Sequence, residues 1–425
     1  MKLHIRALLI LLVAGCSLPS LAQVPVNATS FGMDMTAAVV QQADPWPSLP
    51  FGTSRLFEVS TSWGDINTAA GTYDFTPLDT WLILAKLHGN SGLQYIYTLG
   101  VVPTWASSNP GDTKCSYGPG TCDPPSDVNT TDQNFKAFMT TLMKHLVSLG
   151  NPITYFELWN TPQDTTQWNG TAQQLVHMAQ DARTIIKQYN PNAKILTPPI
   201  GAYLVSTSNP CYAAGKLDSL FLSATYNGVN GASLSDIVSL HGYFGNPPAP
   251  EAAAGMIACF KTTVAKYPNL KTAPLWDTES SWGANTLLSN NQTSEAAFLA
   301  RSVLVQFSSG VQRYGWYAWD NPNWGTLWNN TVQTPGSAYT QVYKWLVHST
   351  LTRPCANASN LWTCPLTKKS PAGYQAMAVW YTAAGTTSYT VPTGFKQYRD
   401  LAGRVVSVTK GSKINIGASP ILLEN

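Results

Sequence analysis

Between residues 30 and 350 the chain alternates short apolar runs with longer stretches whose apolar residues recur at helical spacing. Strand-type runs fall at 31–35, 54–63, 93–100, 153–161, 194–198, 236–243, 275–278 and 314–319. In the stretches between them, Phe135, Phe138, Leu142 and Leu146 make one apolar stripe, closed by Gly150, and Leu175, Ala179, Ala182, Ile186 and Tyr189 make a second. Another helix is predicted to begin at Thr76, with Pro77 at its first position, Asp79 in its first turn and Gly89 at its end. A further one is centred on 339–347. Eight strands separated by helices predict an α/β fold, a (β/α)8 TIM barrel over 27–360. Beyond about residue 365 the runs shorten to 376–381, 387–391, 396–399, 405–409 and 413–416, punctuated by Gly385, Pro392-Thr-Gly394, Gly403 and Gly411. That pattern predicts a small C-terminal β-sandwich over 365–425.

Composition narrows the ligand rather than the fold. Only 11% of the 425 residues are charged and the net charge is +3, so nothing asks for nucleic acid or an anionic membrane surface. The surface is polar through Ser, Thr, Asn and Gln, and 15 Trp with 19 Tyr supply flat apolar faces, a combination suited to a neutral ligand. Lys2 and Arg6, the apolar run 7–14 and the small-residue site Ser20-Leu21-Ala22 read as a secretory signal peptide over 1–22, too short to span a bilayer. The same stretch also reads as a lipobox, Val13-Ala14-Gly15-Cys16, with Cys16 as a lipidated N-terminus. The first reading gives a secreted or periplasmic protein, the second an anchored one. Cys115, Cys122, Cys211, Cys259, Cys355 and Cys364 remain, an even count that favours disulfides in an exported chain. Proximity in sequence suggests Cys115 with Cys122 and Cys355 with Cys364, leaving Cys211 with Cys259. These pairs lack zinc-knuckle spacing and no histidines cluster beside them, so no metal is expected there. Asn27, Asn129, Asn169, Asn291, Asn329 and Asn357 head glycosylation sequons, which matter only in a eukaryotic host.

A barrel of this kind carries its chemistry at the C-terminal ends of its strands. Two runs end in polar residues that suit that place: Ile153-Thr-Tyr-Phe-Glu-Leu-Trp-Asn-Thr-Pro162 and Pro274-Leu-Trp-Asp-Thr-Glu-Ser-Ser281. The first resembles the strand that ends Trp-Asn-Glu-Pro in clan A glycoside hydrolases. The ordered set that carries the resemblance also includes Arg55 with Trp63, Gly71-Thr-Tyr73 with Leu78-Asp79, Pro103-Thr-Trp105, His241-Gly-Tyr243 and the aromatic strand 314–319. It is nearest to glycoside hydrolase family 39. The resemblance implies that Glu279 is a nucleophile, that Asn160 bonds the sugar beside the attacked carbon, and that His241 and Tyr243 lie near the nucleophile. It implies that Arg55 keeps Glu279 ionised, and that Trp63, Trp105, Trp316 and Trp319 offer faces to sugar rings. Each has a plainer reading: Arg55 as a barrel-filling ion pair, His241 as a core histidine, Glu279 as a solvated loop acid, each tryptophan as core.

The sequence departs from that family at one place, Trp159-Asn160-Thr161-Pro162, where the expected acid/base glutamate is Thr161. A hydroxyl is a poor proton donor, and losing general acid/base catalysis forfeits about 10² to 10⁴ in rate. The proton could come from Asp164 on the following loop. Glu157 is the next candidate, but four residues back on the same strand face it lies deeper and reads as structural. Otherwise the substrate has a good leaving group or supplies its own acid, or the barrel binds an oligo- or polysaccharide without cleaving it. The expected activity is therefore O-glycosyl hydrolysis of the retaining type, with a silent carbohydrate-binding barrel as the alternative. No cofactor is expected, and a metal hydrolase is disfavoured because the strand tips lack a His/Asp ligand set.

Overall fold

The computed structural model describes residues 25–90, 92–201, 209–244, 248–284, 288 and 291–425. The signal peptide and the lipid-anchor reading at Cys16 lie outside these residues. Eight parallel strands form the barrel: β1 (Phe31–Met33), β2 (Thr53–Leu56), β3 (Gln94–Thr98), β4 (Tyr155–Glu157), β5 (Lys194–Leu196), β6 (Val238–Tyr243), β7 (Leu275–Ser281) and β8 (Arg313–Trp316). Their order is sequential, with β8 beside β1. Closure between β5 and β6 rests on two parallel bridges, Leu196 to Ile237 and Gly201 to His241.

The helices arise where the sequence places their start and stop signals. Helix α1 (Thr76–Leu87) has proline in its first turn, and Gly89 follows it in the left-handed region at φ +76°. Helix α2 (Gln133–Ser148) buries Phe135, Phe138, Leu142 and Leu146 against the strands. Helix α3 (Ala172–Tyr189) opens with a reciprocal cap in which the Gln174 N–H donates to Thr171 Oγ1 and the Thr171 N–H donates to Gln174 Oε1. Later come α4 (Ala253–Val264), α5 (Gln292–Ser308) and α6 (Thr334–Leu346).

The barrel is filled rather than hollow. At its N-terminal end the Arg313 guanidinium lies 3.9 Å from the centre of a Trp276 ring and 4.5 Å from that of Tyr155, over Ile96, Leu196 and Ile237. Above that floor the side chains become polar.

The C-terminal unit begins earlier than residue 365, at β9 (Ser349–Leu351), which pairs antiparallel with β11 (Leu361–Lys368). A short strand, β10 (Ala356–Ala358), lines the other end of β11. Then follow β12 (Tyr374–Tyr381), β13 (Thr387–Thr390), β14 (Gln397–Arg399), β15 (Val405–Ser407), β16 (Lys413–Ile416) and β17 (Ile421–Glu424). One sheet runs β9-β11-β12-β17-β14-β15 and a second pairs β13 with β16. Val379, Val391, Ile416 and Leu423 are buried between them, as in a sandwich. The unit is stitched to the barrel: Trp380 Nε1 donates to Glu251 Oε1 at 2.8 Å, and Glu251 pairs with Arg301 at 3.1 Å. The segment leading into β1 joins in, with the Val26 N–H donating to the Ser349 carbonyl and Pro25 bridging Thr350.

All three expected cysteine pairs, Cys115–Cys122, Cys211–Cys259 and Cys355–Cys364, form disulfides. Among the described residues no helix is long and apolar enough to cross a membrane.

Candidate active site

Arg55, the third residue of β2, organises the upper barrel. Its Nε donates to Glu157 Oε2 at 2.7 Å, its Nη1 to Glu279 Oε1 at 2.5 Å and its Nη2 to Asn160 Oδ1 at 2.7 Å. One guanidinium thus ties the tip of β2 to those of β4 and β7, and it brings Glu279 and Asn160 to the same opening. Such charge-assisted bonds are strong and directional. Glu157 is fully buried and also accepts from Thr98 Oγ1 at 2.9 Å and Thr278 Oγ1 at 2.7 Å. With its acceptor sites filled by protein donors, Glu157 supports Arg55 from below.

Glu279 owes its direction to an irregularity in β7. Leu240 on β6 is opposite Asp277, but His241 is opposite Glu279, so Thr278 is an extra residue in the ladder. Bulges of this kind re-aim side chains beside active sites. Thr278 reaches inward to Glu157, and Glu279, one residue on, also enters the mouth instead of alternating outward. Asp277 accepts from the Gly242 N–H at 3.0 Å, and a Cβ at Gly242 would stand 2.3 Å from Asp277 Oδ2. That contact is why the His-Gly-Tyr run at the end of β6 has glycine at its centre.

The second Glu279 oxygen accepts from Tyr243 OH at 2.6 Å. His241 Nδ1 is 3.3 Å from that oxygen but makes no hydrogen bond of good geometry there, and burial together with Arg55 holds the imidazole neutral, well below its ordinary pKa. Burial pushes Glu279 up to about 7; Arg55 and Tyr243 pull the other way, while nearby Glu58 adds to the rise. Arg55 therefore acts in the expected direction, moderating the rise that burial causes. Asp34, just beyond β1, is buried, which drives its carboxyl well above the ordinary value, against the pull of Arg55. Three carboxyl groups, Glu157, Glu279 and Asp34, thus act on the one Arg55 cation.

Thr161 is buried and sits at φ +36°, with Trp159 at +72°, in the sharp turn that ends β4. Asn160 Nδ2 approaches its hydroxyl at 3.4 Å. Asp164 does not face this group: its Oδ1 accepts from the Thr166 N–H at 2.9 Å and from Thr166 Oγ1 at 2.8 Å, closing a local turn. Three of the four tryptophans are also elsewhere. Trp63 is buried against Phe135 and Phe138, Trp316 against Trp282 with its N–H on the Gly325 carbonyl, and Trp319 against Trp328 with its N–H on the Pro45 carbonyl. Each is under 2% exposed, so none offers a face to a ligand. Trp105 alone remains half-buried, anchored through Nε1 to the Asn67 carbonyl at 2.7 Å.

The rim is built from residues the sequence reading passed over. Glu58, three residues after Arg55, accepts from Tyr117 OH at 3.2 Å and from Tyr317 OH. Trp324 stands edge-on to Tyr243 at 5.1 Å and to Tyr317 at 6.3 Å. Glu58 carried a signal, an acid just past the strand bearing Arg55. Tyr117 carried none, since it reaches the mouth only through the loop folded by Cys115–Cys122.

No protein-family model and no curated protein matches the chain. Solved structures do. A family 39 glycoside hydrolase from the gut symbiont Bacteroides cellulosilyticus WH2 superposes with a TM-score of 0.69 at 17% identity, over 94% of this chain and 81% of that one. A monomeric beta-xylosidase from Caulobacter crescentus CB15 gives 0.62 at 13%, over 94% and 97%. A GH30 endoxylanase from Clostridium papyrosolvens C71 gives 0.62 at 14%, over 95% and 98%. Along nearly its whole length the chain shares its fold with glycoside hydrolases of families 39 and 30.

Proposed function

We propose that this protein is an exported retaining glycoside hydrolase with Glu279 as nucleophile and an oligo- or polysaccharide as substrate. One observation carries the reading: Glu279 is held between Arg55 Nη1 and Tyr243 OH, with Asn160 on the same guanidinium. In the first step a Glu279 oxygen attacks the anomeric carbon and the glycosidic C–O bond breaks, its electron pair leaving with the departing oxygen. In the second, water attacks the same carbon, releases Glu279 and gives up a proton. Solvent takes up that proton. With a threonine at 161 and Asp164 Oδ1 taken up by Thr166, leaving groups stable as anions should react best. The disulfides suit export.

Thr161 supports a second reading, a barrel that binds carbohydrate without cleaving it. A 2-fluoro glycoside with an activated leaving group separates the two. Mass spectrometry of the treated, digested protein should find one glycosyl group on the peptide holding Glu279; glycan binding with no adduct would establish the silent barrel.

The pH profile should carry the mark of the buried nucleophile. Only ionised Glu279 attacks, so kcat/KM for an aryl glycoside, whose departure needs no proton, should rise about tenfold per unit toward pH 7 and level off above it. A profile flat from pH 5 to 8 would show a carboxylate ionised throughout.

A further inference from the structure

Helix α2 begins against the usual rule. An aspartate just before a helix ordinarily accepts from the free N–H groups of the first turn. Asp132 does not: its φ is +48° and its carboxylate makes no cap bond. The side chain is fully buried, and neither oxygen has a hydrogen-bond partner. A buried carboxylate without a partner is costly, and proteins resolve such cost by pairing, protonation or coordination.

What Asp132 faces is polar. His177 and Asp181, one turn apart on α3, each bring a ligand atom to within 4.8 Å of Asp132 and of one another. His177 Nδ1 lies 2.7 Å from the Val128 carbonyl oxygen. A carbonyl can only accept, so Nδ1 donates and the neutral ring presents its lone pair at Nε2. The ring is clamped by stacking on Tyr226, with centroids 3.9 Å apart. His177 Nε2 stands 3.3 Å from Asp181 Oδ2. Metal bonds of about 2.0–2.2 Å in a tetrahedral site separate ligand atoms by roughly that length. A carbonyl holding the far nitrogen is the arrangement that orients ligating histidines. An imidazolium at His177 would satisfy Asp181 yet leave Asp132 unpaired. Lys136 Nζ, 3.9 Å from Asp181 Oδ2, forms no ion pair with Asp132.

We propose that Asp132, His177 and Asp181 bind one divalent transition-metal ion of the zinc class. A mixed imidazole and carboxylate set suits zinc better than calcium or magnesium, which favour all-oxygen shells. The ion would clamp the start of α2 to the middle of α3, the two helices that follow β3 and β4. None of its ligands takes part in the bonds around Glu279, so the site braces the fold and is independent of the hydrolytic reading.

The test uses the full chain freed of metal with a chelator and titrated with zinc chloride by calorimetry, with metal content measured by mass spectrometry. One zinc per chain should bind at micromolar or tighter affinity, and excess zinc should raise the melting temperature by several degrees. Asp132→Asn and His177→Gln should each weaken binding at least about tenfold. If the aspartate variant fails to fold, the histidine variant carries the comparison. Failure to take up zinc would overturn the proposal, as would uptake unchanged in the variants. Absent zinc binding together with a metal-free Asp132→Asn variant that melts higher would assign the pocket to a proton shared with Asp181.

Discussion

Glu279→Gln should lower turnover of an aryl glycoside by at least about 10⁴-fold, the scale on which hydrolases lose rate when a nucleophile is removed. The amide keeps the shape of the side chain but cannot attack carbon. Melting curves distinguish lost chemistry from lost fold, and the expected direction follows from linkage. The folded-state pKa of Glu279, about 7, lies above its ordinary 4.5. Stability from that group is fully present below about pH 4.5 and is lost as pH rises through 7, by roughly 3 kcal/mol in all. Glutamine stays uncharged throughout, and Arg55 keeps its bond to Glu157. The variant should therefore melt no lower than the parent at pH 8. A variant that melts well but retains turnover within tenfold would remove Glu279 from the reaction.

Thr161→Glu should act in the opposite sense, raising turnover of substrates with poor leaving groups by about 10² to 10⁴. The site favours the change on two counts. The residue is buried beside Asn160, where desolvation keeps a carboxyl protonated, as a general acid requires. Its φ of +36° is a poor conformation for a β-branched side chain, so an unbranched one should relieve strain. Aryl glycosides that need no proton should gain little, and that contrast is the readout. Equal gains on both substrate types, or none on either, would mean that proton donation is not what position 161 lacks.

Most of the architecture was legible because strands, helix caps and glycine stops follow local rules. Eight runs became eight strands with shifted ends; the run at 54–63 leaves β2 at Leu56 and starts a helical turn at Trp63, whereas that at 275–278 continues to Ser281. The Arg55, Asn160, Tyr243 and Glu279 constellation was legible through its resemblance to known strand tips. What periodicity does not carry is which way a large ring points past the end of a strand. Trp63, Trp316 and Trp319 read equally well as ligand platforms and as core, and packing against neighbours far apart in sequence decided for core. Asp164 bonds into a local turn with Thr166, which a two-residue spacing could have suggested. Glu58 and Tyr117 meet only because β2 and a disulfide-bound loop converge in space.

The stitching of the C-terminal unit bears on how this chain can vary. Cutting it away would strip Trp380 from Glu251, open the Arg301 pair to water and loosen Pro25 and Val26, through which the chain enters the first stave of the barrel. The appendage is thus inherited with its host as one body, and new substrate reach has to be sought in the loops around the rim.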